Sequence, residues 1–143
     1  KSIIGCFSFN SMKVLSSYGE AGGIAIFIAS MLEGRRPVIF GSGDQERDFV
    51  YVSDVVDANV RALEEDMTGV YNIGSGDGTS VNRIYGLLKQ NLSYKGEVEY
   101  VSPRSGDVFK IHLDSSKAKQ DLGWSNAISL EGGLELTASH FLA

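Results

Sequence analysis

Helical and extended spacings of apolar residues alternate along the chain, with glycines between them, which is typical of an α/β protein. Apolar residues at positions 24, 27, 28, 31 and 32 recur at helical spacing and end before Gly34, which predicts a first helix. Residues 37–40 and 47–52 lie on either side of a Gly-Ser-Gly-Asp turn and predict two short strands.

A second helix is expected directly after the second strand. Ser53 is a good candidate for its N-cap, and Asp54 in the first turn would favour the positive end of the helix dipole. The apolar face of this helix is expected to carry Val55, Val56, Val60 and Leu63.

The rest of the chain continues the alternation. Residues 69–74 and 97–101 predict strands, and residues 108–113 predict an extended segment. Three further helices are expected, with candidate caps at Thr79 or Ser80, at Ser115 or Ser116, and at Ser129. Together these elements predict one α/β domain with a small mixed sheet and about five helices.

The composition narrows the range of partners. The 143 residues carry a net charge of −5 and a pI near 5.0, which argues against nucleic acid or a membrane surface as a partner. A phosphate-bearing small molecule stays possible, because one or two placed arginines suffice to bind it. Cys6 is the single cysteine, so neither a disulfide framework nor a cysteine metal cluster is expected, and a cytoplasmic location is the default.

Arg47 follows the glycine-rich turn and stands at the start of the second predicted strand. An arginine in that place can hold a phosphate with two parallel hydrogen bonds. The alternative is a surface ion pair with a neighbouring carboxylate, which could be Asp44, Glu46 or Asp48. The local sequence leaves both open.

Arg104 and Asp107 share a Pro-Arg-Ser-Gly-Asp loop at residues 103–107. A guanidinium and a carboxylate at this spacing could bind a pyrophosphate and a ribose hydroxyl, respectively. The alternative is an ordinary solvated loop.

Two short motifs imitate cofactor and catalytic patterns. Residues 74–79 are glycine-rich and lie between a strand and a helix, as in a dinucleotide fingerprint, but the third glycine falls one place early. We therefore interpret this stretch as a structural turn. Tyr85 and Lys89 match a Tyr-x-x-x-Lys pair, which any amphipathic helix can contain by chance, and we interpret them as an ordinary helix pair.

The remaining candidate residues point to structure rather than chemistry. His112 and His140 have no partners at metal-ligand spacing, so neither is expected to bind a metal or act as a base. Trp124 is expected in the core.

Five segments in order resemble the C-terminal half of extended short-chain dehydrogenase/reductases, the NAD-dependent epimerase/dehydratase family of nucleotide-sugar enzymes. The resemblance covers residues 18–143. The segments are Gly-Glu-Ala-Gly-Gly-Ile-Ala-Ile-Phe-Ile from 19, Gly-Ser-Gly-Asp-Gln-Glu-Arg-Asp-Phe-Val-Tyr-Val-Ser-Asp-Val-Val from 41, Gly-Val-Tyr-Asn-Ile-Gly-Ser-Gly from 69, Pro-Arg-Ser-Gly-Asp-Val from 103, and Asp-Ser-Ser-Lys-Ala-Lys-Gln-Asp-Leu-Gly-Trp from 114.

This resemblance implies roles for the matching residues. Arg47 and Arg104 look like the pair that holds the diphosphate of a UDP-sugar or similar nucleotide sugar, and Asp107 looks like the ribose contact. Ile26 and Phe27 look like the wall against the uracil base. In the family, the Rossmann domain with its NAD fingerprint and its catalytic residues precedes the matched region.

The resemblance therefore predicts a nucleotide-sugar-binding domain at 18–143 after an atypical arm at 1–17, with no NAD site, metal site or catalytic residue of its own. Apolar residues at 1–20 lack a clean period and could form a short strand or an arm. Two alternatives stay open. The chain could be half of a UDP-sugar epimerase that is active only with a Rossmann partner, or an oligomeric interaction module without a ligand. In each case a homo-oligomer is expected, because the face that normally packs on the Rossmann domain would be apolar and bare.

Overall fold

The computed structural model describes residues 6–8, 20–64 and 68–143, with side chains from residue 23 onward. Its helices are α1 Glu20–Leu32, α2 Val52–Glu64, α3 Val81–Asn91, α4 Ser116–Leu122 and α5 Leu130–Leu142. Its strands are β1 Cys6–Ser8, β2 Val38–Phe40, β3 Glu46–Asp48, β4 Val70–Asn72, β5 Gly78–Ser80 and β6 Glu99–Val101. The expected α/β class with five helices is confirmed within these residues.

The strands pair two by two. β1 pairs with β4 and β2 with β6, both in parallel, whereas β3 pairs with β5 in the antiparallel sense. Parallel and antiparallel pairing are thus both present, as expected. The described residues form three two-stranded ladders, however, instead of one mixed sheet.

The turn between β2 and β3 follows the sequence prediction. Gly41 and Gly43 both adopt left-handed φ angles, +74° and +79°, which glycine reaches without the steric cost of a side chain. A Cβ at Gly43 would also lie 2.1 Å from the side chain of Asn82, at the start of α3. Asn82 Nδ2 donates to the Ser42 carbonyl at 3.0 Å, so α3 fixes the turn from outside.

Two separate apolar clusters stabilise these elements. One joins α1, α3 and α5 with β2, and its buried residues are Phe27, Ile28, Met31, Ile39, Ile84, Tyr85, Leu88, Leu134 and Ala138. The other joins α2, β4 and α4, and its buried residues are Ala58, Ala62, Tyr71, Ile73, Ala118, Leu122 and Trp124. The burial of Trp124 is confirmed at 1% exposure, and its indole N–H donates to the Asp54 carbonyl at 2.8 Å.

The start of α2 corrects the sequence prediction. β3 ends at Asp48 rather than at residue 52, and α2 begins at Val52, so Ser53 lies inside the helix and is not its cap. The amide of Asp54 donates to the Tyr51 carbonyl at 3.1 Å, so the first turn starts from Tyr51. Asp54 is 4% exposed, and its carboxylate accepts amide bonds from a later loop instead of lying on the surface.

The apolar face predicted for α2 is wrong for three of its four residues, since Val55 alone of the four packs against the second cluster. Val56, Val60 and Leu63 are 54%, 44% and 64% exposed, whereas the smaller Ala58 and Ala62 are buried. The second cluster approaches α2 so closely that alanines fit at the contact, and the larger residues lie on the opposite side. With Val52, the exposed residues form a stripe along the helix, and we call these four residues the α2 stripe.

The other predicted caps agree better with the structure. The Ser80 hydroxyl accepts the Arg83 amide at 3.2 Å, and the Ser129 hydroxyl accepts the Gly132 amide at 3.1 Å. Ser115 precedes α4 as expected, but its side chain makes no cap bond. The carboxylate of Asp114 accepts the Ser116 amide at 2.9 Å instead, and this backbone hydrogen bond lowers the pKa of Asp114.

Most of the predicted N-terminal arm, residues 1–17, lies outside the described residues, and β1 is the described part of it. The backbone of β1 lies beside β4 with Cys6 opposite Val70 and Ser8 opposite Asn72. A short strand was one of the two alternatives for this region. In the described part of the chain, every helix is too short or too polar to cross a membrane.

Candidate functional site

A cavity of about 270 Å³ opens between α1, β2, α3 and the 103–107 loop. Its lining is mainly apolar, with a few polar groups. The lining residues are Gly23, Ile24, Ile26, Phe27, Val38, Ile39, Phe40, Gln45, Phe49, Val81, Ile84, Arg104 and Asp107. An apolar cavity with a few convergent polar groups is the usual form of a small-molecule site.

Arg47 lies in the middle of β3 and is only 6% exposed. One terminal nitrogen, Nη2, donates to Asp107 Oδ1 at 2.8 Å, and the other, Nη1, donates to the carbonyl of Glu46 at 2.8 Å. The alternative of a surface ion pair with a sequence neighbour is therefore wrong. The carboxylate that pairs with Arg47 comes from the distant 103–107 loop.

Arg104 lies on the exposed loop, and its guanidinium carbon is 3.9 Å from the centroid of the Phe40 ring. A guanidinium over an aromatic face is held by the charge distribution of the ring and keeps its N–H groups free in the plane. Phe40 and Arg104 both line the cavity. The end of β2 thus fixes where the loop arginine stands.

The three polar residues singled out from the sequence come together in the fold. Asp107 lines the cavity with Arg104 and binds Arg47 directly. Its amide also donates to the Arg104 carbonyl at 3.4 Å, which keeps the loop tight. One guanidinium group and one carboxylate therefore line the cavity, and a second, buried guanidinium group lies behind them in contact with the carboxylate.

Ile26 and Phe27 lie on α1 and both line the cavity, as the sequence predicts for a wall. They differ in burial. Phe27 is 6% exposed and packs edge-on against Tyr85, with ring centroids 6.3 Å apart, so the core fixes its position. Ile26 is 58% exposed and lies at the open side.

Gln45 and Phe40 are two of the lining residues that the sequence did not single out for a site. Gln45 is 9% exposed, and its side-chain amide donates to the Phe40 carbonyl at 2.8 Å. The available signals were weak: a polar residue directly before a buried strand, and an aromatic residue directly before a glycine-rich turn. Neither signal identifies a site until β2 and β3 are known to be adjacent.

The backbone of β2 also contributes polar groups to the cavity. Gly41 donates its amide to Val101 at 2.9 Å, and Glu99 donates its amide to Pro37 at 2.9 Å, so these positions of β2 face β6. In a parallel ladder, the peptide groups of the alternate residues point the other way. Val38 and Phe40 therefore direct their peptide groups away from β6; the Phe40 carbonyl accepts the Gln45 side-chain amide, and Val38 lines the cavity.

The glycine-rich stretch at 74–79 does not fit a dinucleotide phosphate. Its amides already have acceptors: Gly74 donates to Ser115 Oγ at 2.9 Å, and Ser75 and Gly76 donate to the carboxylate of Asp48 at 2.7 and 3.0 Å. A helix N-terminus binds a phosphate through free amides, and these are occupied. This supports the interpretation of the stretch as a structural turn.

The Tyr85 and Lys89 pair is structural too. The Tyr85 hydroxyl donates to the Gly96 carbonyl at 3.4 Å, and Lys89 Nζ binds Glu97 at 3.2 Å. The hydrogen bond to Glu97 raises the pKa of Lys89, so the lysine is held protonated and is unsuited to act as a base.

The two histidines lie apart from this cavity and from each other. His112 lines a second, more open cavity of about 560 Å³, beside Asp114, Ser116 and Lys119. His140 lies on α5 with its ring 6.1 Å from that of Phe141. The second cavity shares no lining residue with the first.

Known proteins resemble the chain along most of its length. Residues 8–74 match the model of the NAD dependent epimerase/dehydratase family. A putative UDP-glucose 4-epimerase of Methanocaldococcus jannaschii is 47% identical over 117 residues, which are 82% of this chain and 38% of that protein. The UDP-glucose 4-epimerase of Mycolicibacterium smegmatis is 38% identical over 87% of this chain and 40% of its own length.

Solved structures agree with the sequence comparisons. The UDP-glucose 4-epimerase of Thermotoga maritima, solved with UDP-glucose, has a TM-score of 0.81 and 50% identity over 89% of this chain and 41% of its own. That of Thermus thermophilus, solved with NAD, has a TM-score of 0.81 and 31% identity over 90% of this chain and 42% of its own. The chain thus spans about two fifths of the length of these relatives.

Proposed function

Since this chain is a member of the NAD-dependent epimerase/dehydratase family, we propose that it is the nucleotide-sugar-binding part of such an enzyme and binds a UDP-sugar in the cavity beside Arg104. The observation that carries the proposal is that Arg104 and Asp107 line an apolar cavity while Asp107 is also paired with the buried Arg47. The Thermotoga structure holds UDP-glucose, which gives the ligand class.

The two arginines suit a diphosphate. Arg47 is buried and fixed by two hydrogen bonds, whereas Arg104 is exposed and rests on the Phe40 ring, so one is rigid and the other can adjust. Guanidinium groups bind phosphate oxygens with pairs of parallel hydrogen bonds. A diphosphate between them would place its charge where both can reach it.

Asp107 suits a ribose. Its ionised carboxylate only accepts hydrogen bonds, and a ribose offers two neighbouring hydroxyl donors. One oxygen of Asp107 accepts from Arg47, which leaves the carboxylate oriented along the loop toward the cavity. The same residue would thereby link the diphosphate and ribose subsites.

The apolar part of the cavity suits a pyrimidine base. Phe27 and Ile26 provide an apolar wall, and Val38 of β2, which also lines the cavity, directs its peptide groups away from β6. Uracil presents an N–H donor between two carbonyl acceptors, which a strand edge with alternating C=O and N–H groups can match. Base preference would then come from the backbone and not from a charged side chain.

The chemistry of the relatives needs a nicotinamide that takes and returns a hydride. In the described residues, the glycine-rich stretch that imitates a fingerprint has its amides occupied, as noted above. We therefore propose that these residues bind and orient the nucleotide sugar, and that a Rossmann domain supplies NAD and the acid/base groups. On this view, the isolated chain mixed with NAD and a UDP-hexose gives no turnover, and measurable turnover would contradict it.

Calorimetry with UDP and UDP-glucose tests binding. We expect a measurable dissociation constant that rises with salt, because phosphate contacts dominate. Arg104→Ala should weaken binding, while Arg83→Ala, which removes an exposed arginine paired with Glu131, should not. No heat at millimolar ligand in folded wild-type protein would rule out binding by this chain.

A second proposal concerns self-association, which the α2 stripe favours. Large apolar side chains exposed together on one face of a helix are unusual in a monomer and tend to find partners. We propose that the stripe packs against a second copy of the chain. The mass in solution, measured by light scattering, tests this self-association.

We also propose a cytoplasmic location from the single cysteine, and cell fractionation tests it.

A further inference from the structure

Asp48 is a carboxylate that is almost fully buried, at 1% exposure, directly after Arg47 on β3. Four donors converge on it. Oδ1 accepts the amide and the hydroxyl of Ser75 at 2.7 and 2.6 Å, and Oδ2 accepts the amides of Gly76 and Leu113 at 3.0 Å each. Four donors match the acceptor capacity of an ionised carboxylate.

These bonds join three segments that are far apart in sequence: β3, the turn at 74–76, and residues 103–113, which we call the strap. Arg104 and Asp107 lie on the first half of the strap. Its second half lies along Glu46, whose amide donates to the Phe109 carbonyl at 2.7 Å and whose carbonyl accepts the Ile111 amide at 3.1 Å. The bond from Leu113 to Asp48 ends this contact.

We propose that Asp48 is the positioning residue of the cavity, which fixes the strap on β3 and so sets Arg104 and Asp107 against Arg47. Arg47 lies between Glu46 and Asp48, which both bind the strap, and is itself paired with Asp107 of the strap. Any shift of the strap along β3 therefore changes the spacing of the two guanidinium groups. Asp48 does not line the cavity and acts through the other residues.

The close packing around Asp48 agrees with a fixed position. A Cβ at Gly74 would lie 2.6 Å from Asp48 Oδ2 and 2.8 Å from Leu113 Cβ, so the turn and the strap meet there without spare room. An amide in place of the carboxylate would direct an N–H₂ group at two of the four donors. Buried donors without an acceptor are costly, so the contact would open.

Asp54 offers a matched control. It is also buried, at 4% exposure, and its carboxylate also accepts two backbone amides, those of Ala127 and Ile128 at 3.1 and 3.0 Å. Those amides belong to the segment before α5, and none of the three residues lines the cavity. Both amides bond to one oxygen, Oδ2, and asparagine keeps one oxygen, so Asp54→Asn changes a buried carboxylate without opening its contact or moving the strap.

The test compares Asp48→Asn with Asp54→Asn by amide hydrogen exchange and by UDP binding, at a temperature at which both are folded by circular dichroism. In Asp48→Asn we expect exchange at residues 109–113 to rise about tenfold or more and the dissociation constant for UDP to rise by a similar factor. In Asp54→Asn we expect both strap exchange and UDP binding to stay at the wild-type values, because asparagine keeps an oxygen that can accept both amides.

Several outcomes would overturn the inference: unchanged strap exchange in Asp48→Asn, or faster strap exchange with unchanged UDP affinity. If Asp48→Asn does not fold, Ser75→Ala removes one of the four bonds, and a smaller rise in strap exchange is expected. The expected loss of UDP affinity rests on the proposed function, that is, on UDP binding by the wild-type chain. If wild-type protein binds no UDP, that function fails, and strap exchange alone decides whether Asp48 holds the strap.

Discussion

Arg47 shows how burial changes what a charged side chain can do. A guanidinium with almost no solvent contact must have its N–H groups satisfied by the protein, and Asp107 and the Glu46 carbonyl provide two of these bonds. The local sequence could not predict this, because the partner lies in another loop. Sequence identified the arginine, and the fold identified its partner.

Arg47→Lys should weaken UDP binding about tenfold or more. A lysine keeps the charge but cannot hold Asp107 and a phosphate with a planar set of donors, and hydrogen bonds to charged groups contribute about 1.5–3 kcal/mol. Calorimetry measures the change, and Arg83→Lys, at an exposed arginine, serves as the control. Equal affinities of Arg47→Lys and wild type would contradict a bidentate role.

Phe40→Leu tests whether the ring positions Arg104. An exposed cation–π contact contributes about 0.5–1 kcal/mol, so the dissociation constant for UDP should rise about two- to fivefold. Because the ring also lines the cavity, the decisive measurement is a double-mutant cycle with Arg104→Ala. The losses of UDP binding free energy in the two single variants should be less than additive in the double variant, and fully additive losses would show that the ring does not position Arg104. Phe40→Tyr keeps the ring and should bind UDP like wild type.

At the scale of elements, the helices were predicted from the sequence more reliably than their faces. Periodicity placed α1 and α3, and a candidate cap placed α5; Ser80, one of two candidates for its helix, and Ser129 are the observed caps. For α2 the rule that large apolar residues are buried failed, because the second cluster packs on Ala58 and Ala62. Periodicity indicates that a helix has an apolar face, but not whether another element packs on that face.

The short strands were harder still. β5 was not predicted, because residues Gly78 to Ser80 have a composition typical of a turn. Its extended conformation comes from pairing with β3, opposite Arg47. Its register places Thr79 across from Arg47. A strand of three residues has too little pattern of its own, so the pairing partner decides its conformation.

The contact between α3 and α5 gives a pH prediction. Arg83 Nη2 donates to Glu131 Oε1 at 2.9 Å, and this hydrogen bond lowers the pKa of Glu131 below its ordinary value of 4.5. A carboxylate with a lowered folded-state pKa contributes stability above its unfolded value, and loses that contribution as the pH falls through the folded value. Stability should therefore decrease below about pH 4.5.

Glu131→Gln should flatten this decrease, as measured by chemical denaturation between neutral pH and pH 3. The effect should be small, because both side chains are exposed and solvent screens the pair. Arg83→Gln, which removes the other side chain of the same pair, should flatten the decrease in the same way. A slope unchanged by Glu131→Gln would show that other carboxylates govern the acid range.

At the scale of the whole molecule, the resemblance to a known family predicted which distant residues form one site, and periodicity did not. It grouped Arg47, Arg104 and Asp107 before any contact was known; in the structure Arg104 and Asp107 line one cavity, and Arg47 is paired with Asp107. It gave no account of Gln45 or of the Asp48 contacts, because these depend on how three segments pack. Long-range pairing is the part of the fold that local pattern does not encode.

Self-association is the property that depends on the whole surface, and Leu63→Ser tests it. Leu63 lies at one end of the α2 stripe and is 64% exposed, so a serine there costs little folding stability but removes apolar area from the proposed contact. Light scattering after size exclusion should show a shift toward monomer at equal concentration. Leu142→Ser on α5 is a matched control, since Leu142 is also 64% exposed but lies outside the stripe.

The pair of variants separates a specific contact from general stickiness. If the stripe forms the contact, only Leu63→Ser lowers the mass, and adding Val56→Ser lowers it further, because both side chains lie on the same face of α2. If the two leucine variants lower the mass equally, association is nonspecific. If the wild-type chain is still a monomer at high concentration, the α2 stripe does not pack against a second copy, and the proposal of a homo-oligomer is wrong.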